Sequence, residues 1–576
     1  MPRKRSQPSS KIKTAVGGSV RPKDGTRTQP KKSSPSSLTV AVLAAIIAVG
    51  AALIYAARIQ LTADVSRREA IKDAMKYAWG EYEKYALGDD NYHPISKHGS
   101  NLTSAGGIGY TMVDALDSLM IMGLDDEVAR VRDWIQKDLS FDRDASFNTF
   151  EVTIRVLGGL LSAYYISSIV PSSSSAGEFD DLYLQKAVDL GDRLLGAFKS
   201  PINLPYPSIN LATYEGIPDK DNGILVSTAE IATLQVELKY LSHLTGDDKY
   251  WHAAEHVMKV IKNSSEQLES GLVSVFLRSD NGQFIPSDIR LGSRGDSYYE
   301  YLLPRKQYVF NSISQSEPVY RQMYDKAVES MNKYLITQSP TDKIMHTTEI
   351  IPQRGGRDGR SLTWRQIPKQ DHLVCFIGGL FLLGATEGKG PVPPDVMSFS
   401  ESELRDWKNG VGMIKGCMET HQTLTGLSPE IAHFRTDNDP KVVQNDAAPR
   451  DWYIKGAGSH DSYDARYMLR PETVESLFIA HRLTGHPKYR EWGWEIFQAI
   501  EKHAKLPEGG YATVLNVDRL PVKHDDRMET FFLSETLKYL YLLFDDHERF
   551  SPRDVVFNTE AHIFPKFDST IETGFD

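Results

Sequence analysis

The chain has 576 residues, of which 40% are hydrophobic and 25% charged, and it carries a formal charge of −10. That composition is ordinary for a globular protein and excludes a wholly disordered or fibrous chain. The acid excess argues against nucleic acid as the main partner, because a phosphate binder needs a basic face.

Residues 1–37 stand apart from this average. Ten lysines and arginines, from Arg3 to Lys32, face the single acid Asp24, with Ser, Pro, Gly and Thr between them. Such a segment cannot bury enough apolar surface to pack, so it is predicted to be a disordered basic tail. Leu38 to Ala57 then runs without a charge. Its twenty residues match the roughly 20 that an α-helix needs to cross a bilayer core of about 30 Å. With the long basic side kept in the cytoplasm, this predicts a type II signal anchor and a lumenal C-terminal bulk. A cleaved signal peptide fits less well, since the apolar run is long and begins late; a buried core helix is the other alternative. Residues 58–65 form a short stem, residues 66–567 one catalytic domain and residues 568–576 a tail.

Lumenal placement gives meaning to two triplets and two cysteines. Asn101-Leu102-Thr103 and Asn263-Ser264-Ser265 are glycosylation sequons. Cys375 and Cys417 suffice for one disulfide in an oxidising compartment, or remain two buried thiols.

Beyond the stem the apolar spacing predicts helices over 63–88, 110–122, 127–139, 151–167, 182–198, 228–244 and 373–385. Residues 89–108 and 141–150 are expected to be loops, with a Ser-rich loop at 171–178. The surface loops are placed at 398–403 and 437–450. Short echoes recur: Leu244-Thr245-Gly246 against Leu483-Thr484-Gly485, and Gly159-Leu160 against Gly379-Leu380. These point to helical hairpins used repeatedly. Strand signals are confined to 272–277 and 511–517, so the fold class is all-α with helix packed on helix.

The most telling stretch is Tyr463 to Phe478. Pro471 suits a first helical position, and Glu472 falls in the first turn, where the helix dipole favours a carboxylate. Glu475 lies one turn on, sharing its face, with Arg470 just before. Glu151, Asp296 and Glu430 also sit beside glycine, proline or aromatic residues. Acids at helix ends beside aromatic rings are how a sugar site is commonly built: rings stack on the sugar and carboxylates hold hydroxyls or move protons. Other patterns fail. Asp142 to Thr153 lacks the glycine and the closing glutamate of an EF-hand. Gly106 to Gly109 lacks dinucleotide spacing, and His93 and His98 lack metal spacing.

At these residues the chain resembles glycoside hydrolase family 47, the class I α-1,2-mannosidases. The resemblance runs through Tyr110-Thr111-Met112-Val113-Asp114-Ala115-Leu116-Asp117, Phe150-Glu151 to Ala163, Leu291 to Leu303, and Asp371-His372-Leu373-Val374-Cys375-Phe376. It continues through Arg470 to Phe478, Met528-Glu529-Thr530-Phe531-Phe532-Leu533, and Val556-Phe557-Asn558-Thr559-Glu560-Ala561-His562. It implies an (α/α)7 barrel of helical hairpins, plugged by a C-terminal β-hairpin that carries Thr559 as the Ca²⁺ ligand. It implies inverting hydrolysis of α-1,2-linked mannose on high-mannose N-glycans, with Glu151 as general acid, Glu472 as base, and Asp296 and Glu430 as further catalytic carboxylates. Arg155, Glu237, Arg294, His372, Arg470, Glu475 and Glu529 match substrate-holding positions, and Cys375 and Cys417 match a disulfide. Arg294 resembles the endoplasmic-reticulum type rather than the Golgi type, which carries a small apolar residue there. The resemblance therefore implies an endoplasmic-reticulum membrane protein, with a glycan-binding degradation factor as the alternative. Departures are Ile377 where relatives often have proline, a missing glycine in 201–205, Pro304 for lysine and Ile563 for proline.

Overall fold

The computed structural model describes residues from 61 onward, except 171–178, 265–270, 304–317, 356–360, 440–449, 459–461, 568, 570, 572–573 and 576. The predicted tail and membrane span, and the Ser-rich loop, lie outside the described residues.

Two kinds of helix alternate along the chain. Helices α1 (Val65–Ala86), α3 (Asp125–Lys137), α5 (Asp181–Leu194), α8 (Lys249–Asn263), α10 (Pro318–Tyr334), α12 (Glu401–Thr420) and α14 (Pro487–His503) bury one stripe and show solvent the rest. Between them come α2 (Tyr110–Ile121), α4 (Thr149–Ile169), α6 (Thr228–Ala232) with α7 (Gln235–Thr245), α9 (Asp296–Leu302), α11 (Ile377–Thr386), α13 (Glu472–Thr484) and α15 (Leu537–Phe544). These are buried on nearly every side. A helix apolar all round has to be enclosed by others, whereas an amphipathic one forms the outer layer. That places α2 and α4 side by side, α4 against α7, α11 against α13 and α13 against α15, while the turn that leads into α15 returns to α2. The first helix also meets the last: α1 packs on α15, Asp64 N donates to Phe544 O at 2.8 Å, and Arg490 Nη1 holds Thr62 O at 2.7 Å.

Small residues set the close approaches. A Cβ on Gly159 would lie 2.5 Å from Val113 O of α2, and one on Gly379 would meet Ile479 of α13 at 2.7 Å. The Thr-Gly echo has a structural counterpart. Gly246 (φ +70°) and Gly485 (φ +63°) each end a buried helix in the left-handed conformation that glycine adopts freely, just before an outer helix starts.

The loops hold more strand than the sequence suggests. A hairpin, Asn91–His93 with His98–Ser100, lies within 89–108. Ser146–Asn148 pairs with Ser208–Asn210, so 141–150 is not all loop. Phe276–Arg278 pairs with the distant Leu225–Ser227 and also turns back locally, Leu277 bridging Phe284. Residues 511–517 form single bridges and no strand, Val514 pairing with Tyr467 and His524. The longest strands, Glu349–Gly355 and Ser361–Ile367, were not expected. The first is buried only at Glu349 and Ile350 and the second is exposed over most of its length, so no steady alternation of burial marks them. The expected helix over 228–244 breaks at Thr233 and Leu234. Within 398–403, Ser400 and Glu403 form a capping box that starts α12. Pro471 takes the cap position, and the helix begins at Glu472. Cys375 and Cys417 are joined in a disulfide between the short turn before α11 and α12. Asn101 and Asn263 are both exposed.

Candidate functional site

The buried helices converge on a cavity of about 300 Å³. Its walls include Glu151, Arg155, Arg294, Asp296, Arg470, Glu472, Glu475 and Thr559. Residues scattered over 400 positions of chain are thereby brought together: Thr559 comes from the C-terminal hairpin, and the others sit near the start of a buried helix or on the loop before one.

Glu151 lies in the first turn of α4, where Asn148 caps the helix by accepting from its backbone N at 2.8 Å. The next turn, Val152–Leu157, is a π-helical bulge. A second π segment, Phe532–Thr536, leads into α15, and both segments pack on α2. Such bulges rotate side chains out of helical register and recur at functional sites. Arg155 Nε donates to Glu151 Oε2 at 2.9 Å, and Tyr110 OH to the same oxygen at 3.3 Å. Arg155 also pairs with Glu560 and donates to Thr530 Oγ1 at 3.0 Å.

Asp296 opens α9. Burial, reinforced by the neighbouring carboxylate of Asp371, pushes its pKa up to about 7. Glu472, at the start of α13, is also pushed up to about 7 by burial, against the pull of Arg470. Its Oε2 is buried without a hydrogen-bond partner, 3.9 Å from His372 Nε2. Arg294 sits at φ +72°, a conformation that costs a non-glycine residue strain. Its guanidinium reaches Glu230 Oε1 at 3.3 Å and lies over the Phe276 ring.

Four expected residues stand outside the cavity wall. Glu430 grips Arg470 with both oxygens, at 2.6 to 3.0 Å, so it orients that arginine from behind. His372 is buried and meets Thr473 Oγ1 at 3.1 Å. Glu237 is enclosed behind the C-terminal hairpin, accepting from Asn558 Nδ2 at 2.7 Å and Tyr301 OH at 3.0 Å. Glu529 pairs with Arg527 at 2.6 Å. They were assigned to substrate or catalysis by matching positions, and sequence position alone does not separate a wall residue from the one supporting it.

Four acids on the wall were missed: Glu230, Glu300, Glu535 and Glu560. The signal was available for two of them. Glu300 lies among Tyr298, Tyr299, Tyr301 and Leu302, and Glu535 in the π segment just before the apolar α15; an acid in such surroundings is costly to bury unless it has a function. Phe150, Phe376 and Phe531 supply aromatic faces on the same wall.

The floor is formed by the turn of an antiparallel hairpin, Val555–Phe557 with Ile563–Pro565. This turn carries Thr559, whose backbone N donates to Tyr301 OH at 3.2 Å and whose hydroxyl side chain bonds Glu300. Around it Glu300 is pushed up to about 8 by burial, with Asp296, Glu237 and Glu472 adding to the rise, while the Thr559 bond opposes it. Glu475, Glu535 and Glu560 are raised well above the usual range by burial first and then by neighbouring carboxylates: Glu300 and Glu472 for Glu475, Glu560, Glu472 and Glu475 for Glu535, Asp114 and Glu151 for Glu560. Carboxylates crowded in this way call for a cation. Among the described residues no three of His, Cys, Asp and Glu stand close enough to ligate one ion directly. A threonine with oxygen-only neighbours at one remove fits a hard, water-carrying cation.

The fold and site define a carbohydrate-active enzyme class. The glycosyl hydrolase family 47 model matches residues 74–566, and the chain belongs to that family. Among its relatives, the mannosyl-oligosaccharide 1,2-α-mannosidase of Candida albicans is 43% identical over 520 residues, 88% of this chain and 85% of that one. The endoplasmic reticulum mannosyl-oligosaccharide 1,2-α-mannosidase of Schizosaccharomyces pombe is 38% identical over 89% of this chain and 92% of its own length. The solved α-1,2-mannosidase from Trichoderma reesei superposes with a TM-score of 0.74 at 26% identity, over 88% of this chain and all of that one.

Proposed function

We propose that the protein is a calcium-dependent, inverting α-1,2-mannosidase that trims high-mannose N-glycans in the endoplasmic reticulum. The observation that carries this reading is one cavity lined at once by Glu151, Asp296, Glu472 and Thr559. Among the described residues, seven outer helices alternate with seven buried positions, α6 and α7 sharing one, and this supports a barrel of seven helical hairpins, with the 555–565 hairpin as its plug. Residues 1–37 are read as the cytoplasmic tail, 38–57 as the type II anchor, 58–65 as the stem, 66–567 as the lumenal domain and 568–576 as the tail.

Within the cavity, Glu472 acts as the base. Its unpartnered oxygen is free to take a proton from the attacking water, and its raised pKa makes it a stronger base than a solvated carboxylate. Glu151 is held by Arg155 and Tyr110 and delivers the proton to the leaving oxygen through a water. Asp296 holds a proton near neutral pH on the adjoining wall and replenishes that water. Arg470, fixed by Glu430, and Arg155 donate to sugar hydroxyls, while the phenylalanines face the ring. Thr559 would hold calcium by its hydroxyl and carbonyl, with Glu300, Glu475, Glu535 and Glu560 reaching it through water. When bound, the ion supplies charge and coordination for sugar hydroxyls.

The test is incubation of the calcium-loaded full-length chain with a defined high-mannose glycan. Release of mannose, first seen as the β-anomer by proton NMR, is expected; no release, or release as the α-anomer, overturns the activity or the inverting mechanism respectively.

A further inference from the structure

Behind the cavity floor lies a second group of buried ionisable residues that no catalytic role uses. His562, on the far side of the hairpin turn from Thr559, is fully buried. Its Nδ1 lies 3.0 Å from Asp117 Oδ2 and its Nε2 3.2 Å from Asp114 Oδ1. Lys538 of α15 is equally buried, with its Nζ 2.7 Å from Asp117 Oδ1 and 2.8 Å from the carbonyl of Ala561. Two acids thus face two cations, all four side chains fully buried. Carboxylates only accept, so a ring bonded to one through each nitrogen carries both protons.

The turn that this group grips is strained. Ala561 sits at φ +59°, which a residue with a Cβ avoids. Asn558 closes the turn, its Oδ1 accepting from the backbone N of Glu560 at 2.9 Å and of His562 at 2.8 Å. The turn also needs room: a Cβ on Gly158 would stand 2.8 Å from Asn558 Nδ2 and 2.9 Å from His562 Cδ2. Ser162 bridges both sides, donating to Asp117 Oδ2 and accepting from Ile563 N. Every bond in the group therefore bears on residues 558 to 563, and the only member of that turn facing the cavity besides Glu560 is Thr559.

We propose that His562, clamped by Asp114 and Asp117 and seconded by Lys538, is the positioning residue of the calcium loop, fixing the turn from which Thr559 presents its oxygens. Burial alone would lower the affinity of His562 for a proton; Asp117 and Asp114 outweigh burial and leave it raised. The proposal rests on the calcium reading above. Partners that orient a metal-binding group from behind, when removed, weaken metal binding by about 10–100-fold.

The test is calorimetric titration of calcium into chelator-stripped full-length chain, wild type against His562→Gln. The expected result is a Kd for calcium raised by about tenfold or more, with helical circular dichroism kept and turnover recovered at high calcium. Folded His562→Gln with an unchanged calcium Kd overturns the proposal, even if its thermal midpoint is lower, because that is what a purely structural role gives. Should His562→Gln fail to fold, Asp117→Asn, which keeps the shape of the clamp, is held to the same two outcomes. Wild-type chain that takes up no calcium overturns the calcium reading itself, and is told apart by needing no variant.

Discussion

Two groups of buried acids lie among the same buried helices, and they are built oppositely. In the clamp around His562, Asp114 and Asp117 are matched by His562, Lys538 and Arg155. On the cavity floor, Glu300, Glu475 and Glu535 have no ion pair among the described residues, and their proton affinities rise together. Asp117, by contrast, is held down to about 2 despite its burial, by Lys538 and His562. The difference separates acids that hold the fold from acids that wait for a ligand: the first are neutralised by the chain itself, the second are left in excess.

The largest effect expected from breaking this contrast is on the floor. Glu472→Gln keeps the shape and removes the base, so kcat should fall about 10²–10⁴-fold while calcium-dependent glycan binding persists. Steady-state kinetics beside a binding titration checks both halves. On the matched side, Lys538→Met leaves Asp117 short of its cation. Breaking a buried pair from one side costs about 3–5 kcal/mol, to be read from urea unfolding.

Dependence on pH sharpens the comparison further. In chelator, Glu472, Asp296 and Glu300 ionise near 7 to 8 when folded, but at the ordinary 3.8 to 4.5 when unfolded. The folded state therefore binds more protons across that window, and its stability is present in acid and lost as pH rises through about 8. Thermal midpoints in EDTA should fall from pH 5 to pH 8, and calcium should remove most of the fall. Asp117 contributes with the opposite sign: its stability is present above 3.8 and lost only as pH falls towards about 2. The smallest effect concerns the half-exposed Arg294–Glu230 pair at the rim. Glu230→Gln should cost at most about 1 kcal/mol in stability. It should instead broaden the set of mannose branches removed, as mapped by chromatography of the products.

Much of this was legible in the chain. The alternation of enclosed and amphipathic helices follows from apolar spacing, and acids at helix starts marked Glu151, Asp296 and Glu472 as candidates. Depth was not legible. Nothing local distinguishes Arg470, which faces the cavity, from Glu430, which stands behind it, because the two differ only in which way a loop turns. Glu237 shows the same limit: an acid in a buried helix reads as a ligand-holder until its partners, Asn558 and Tyr301, are brought to it from some 320 and 60 residues away. The strand pair 349–355 and 361–367 escaped notice for another reason: its second strand is largely exposed and its first is buried only at Glu349 and Ile350, so no steady apolar face is written into the sequence.

The contact between α1 and α15 bears on how the molecule is made. On the ribosome the first helix emerges with its apolar stripe bare, and the surface that covers it is translated nearly last. Thr559 and Glu560 follow later still, so no nascent chain can complete the cavity before almost the whole message has been read. A chain cut short by a premature stop before α15 would lose both the floor of its cavity and its seam at one stroke, and would be exposed to proteolysis at its opposite end.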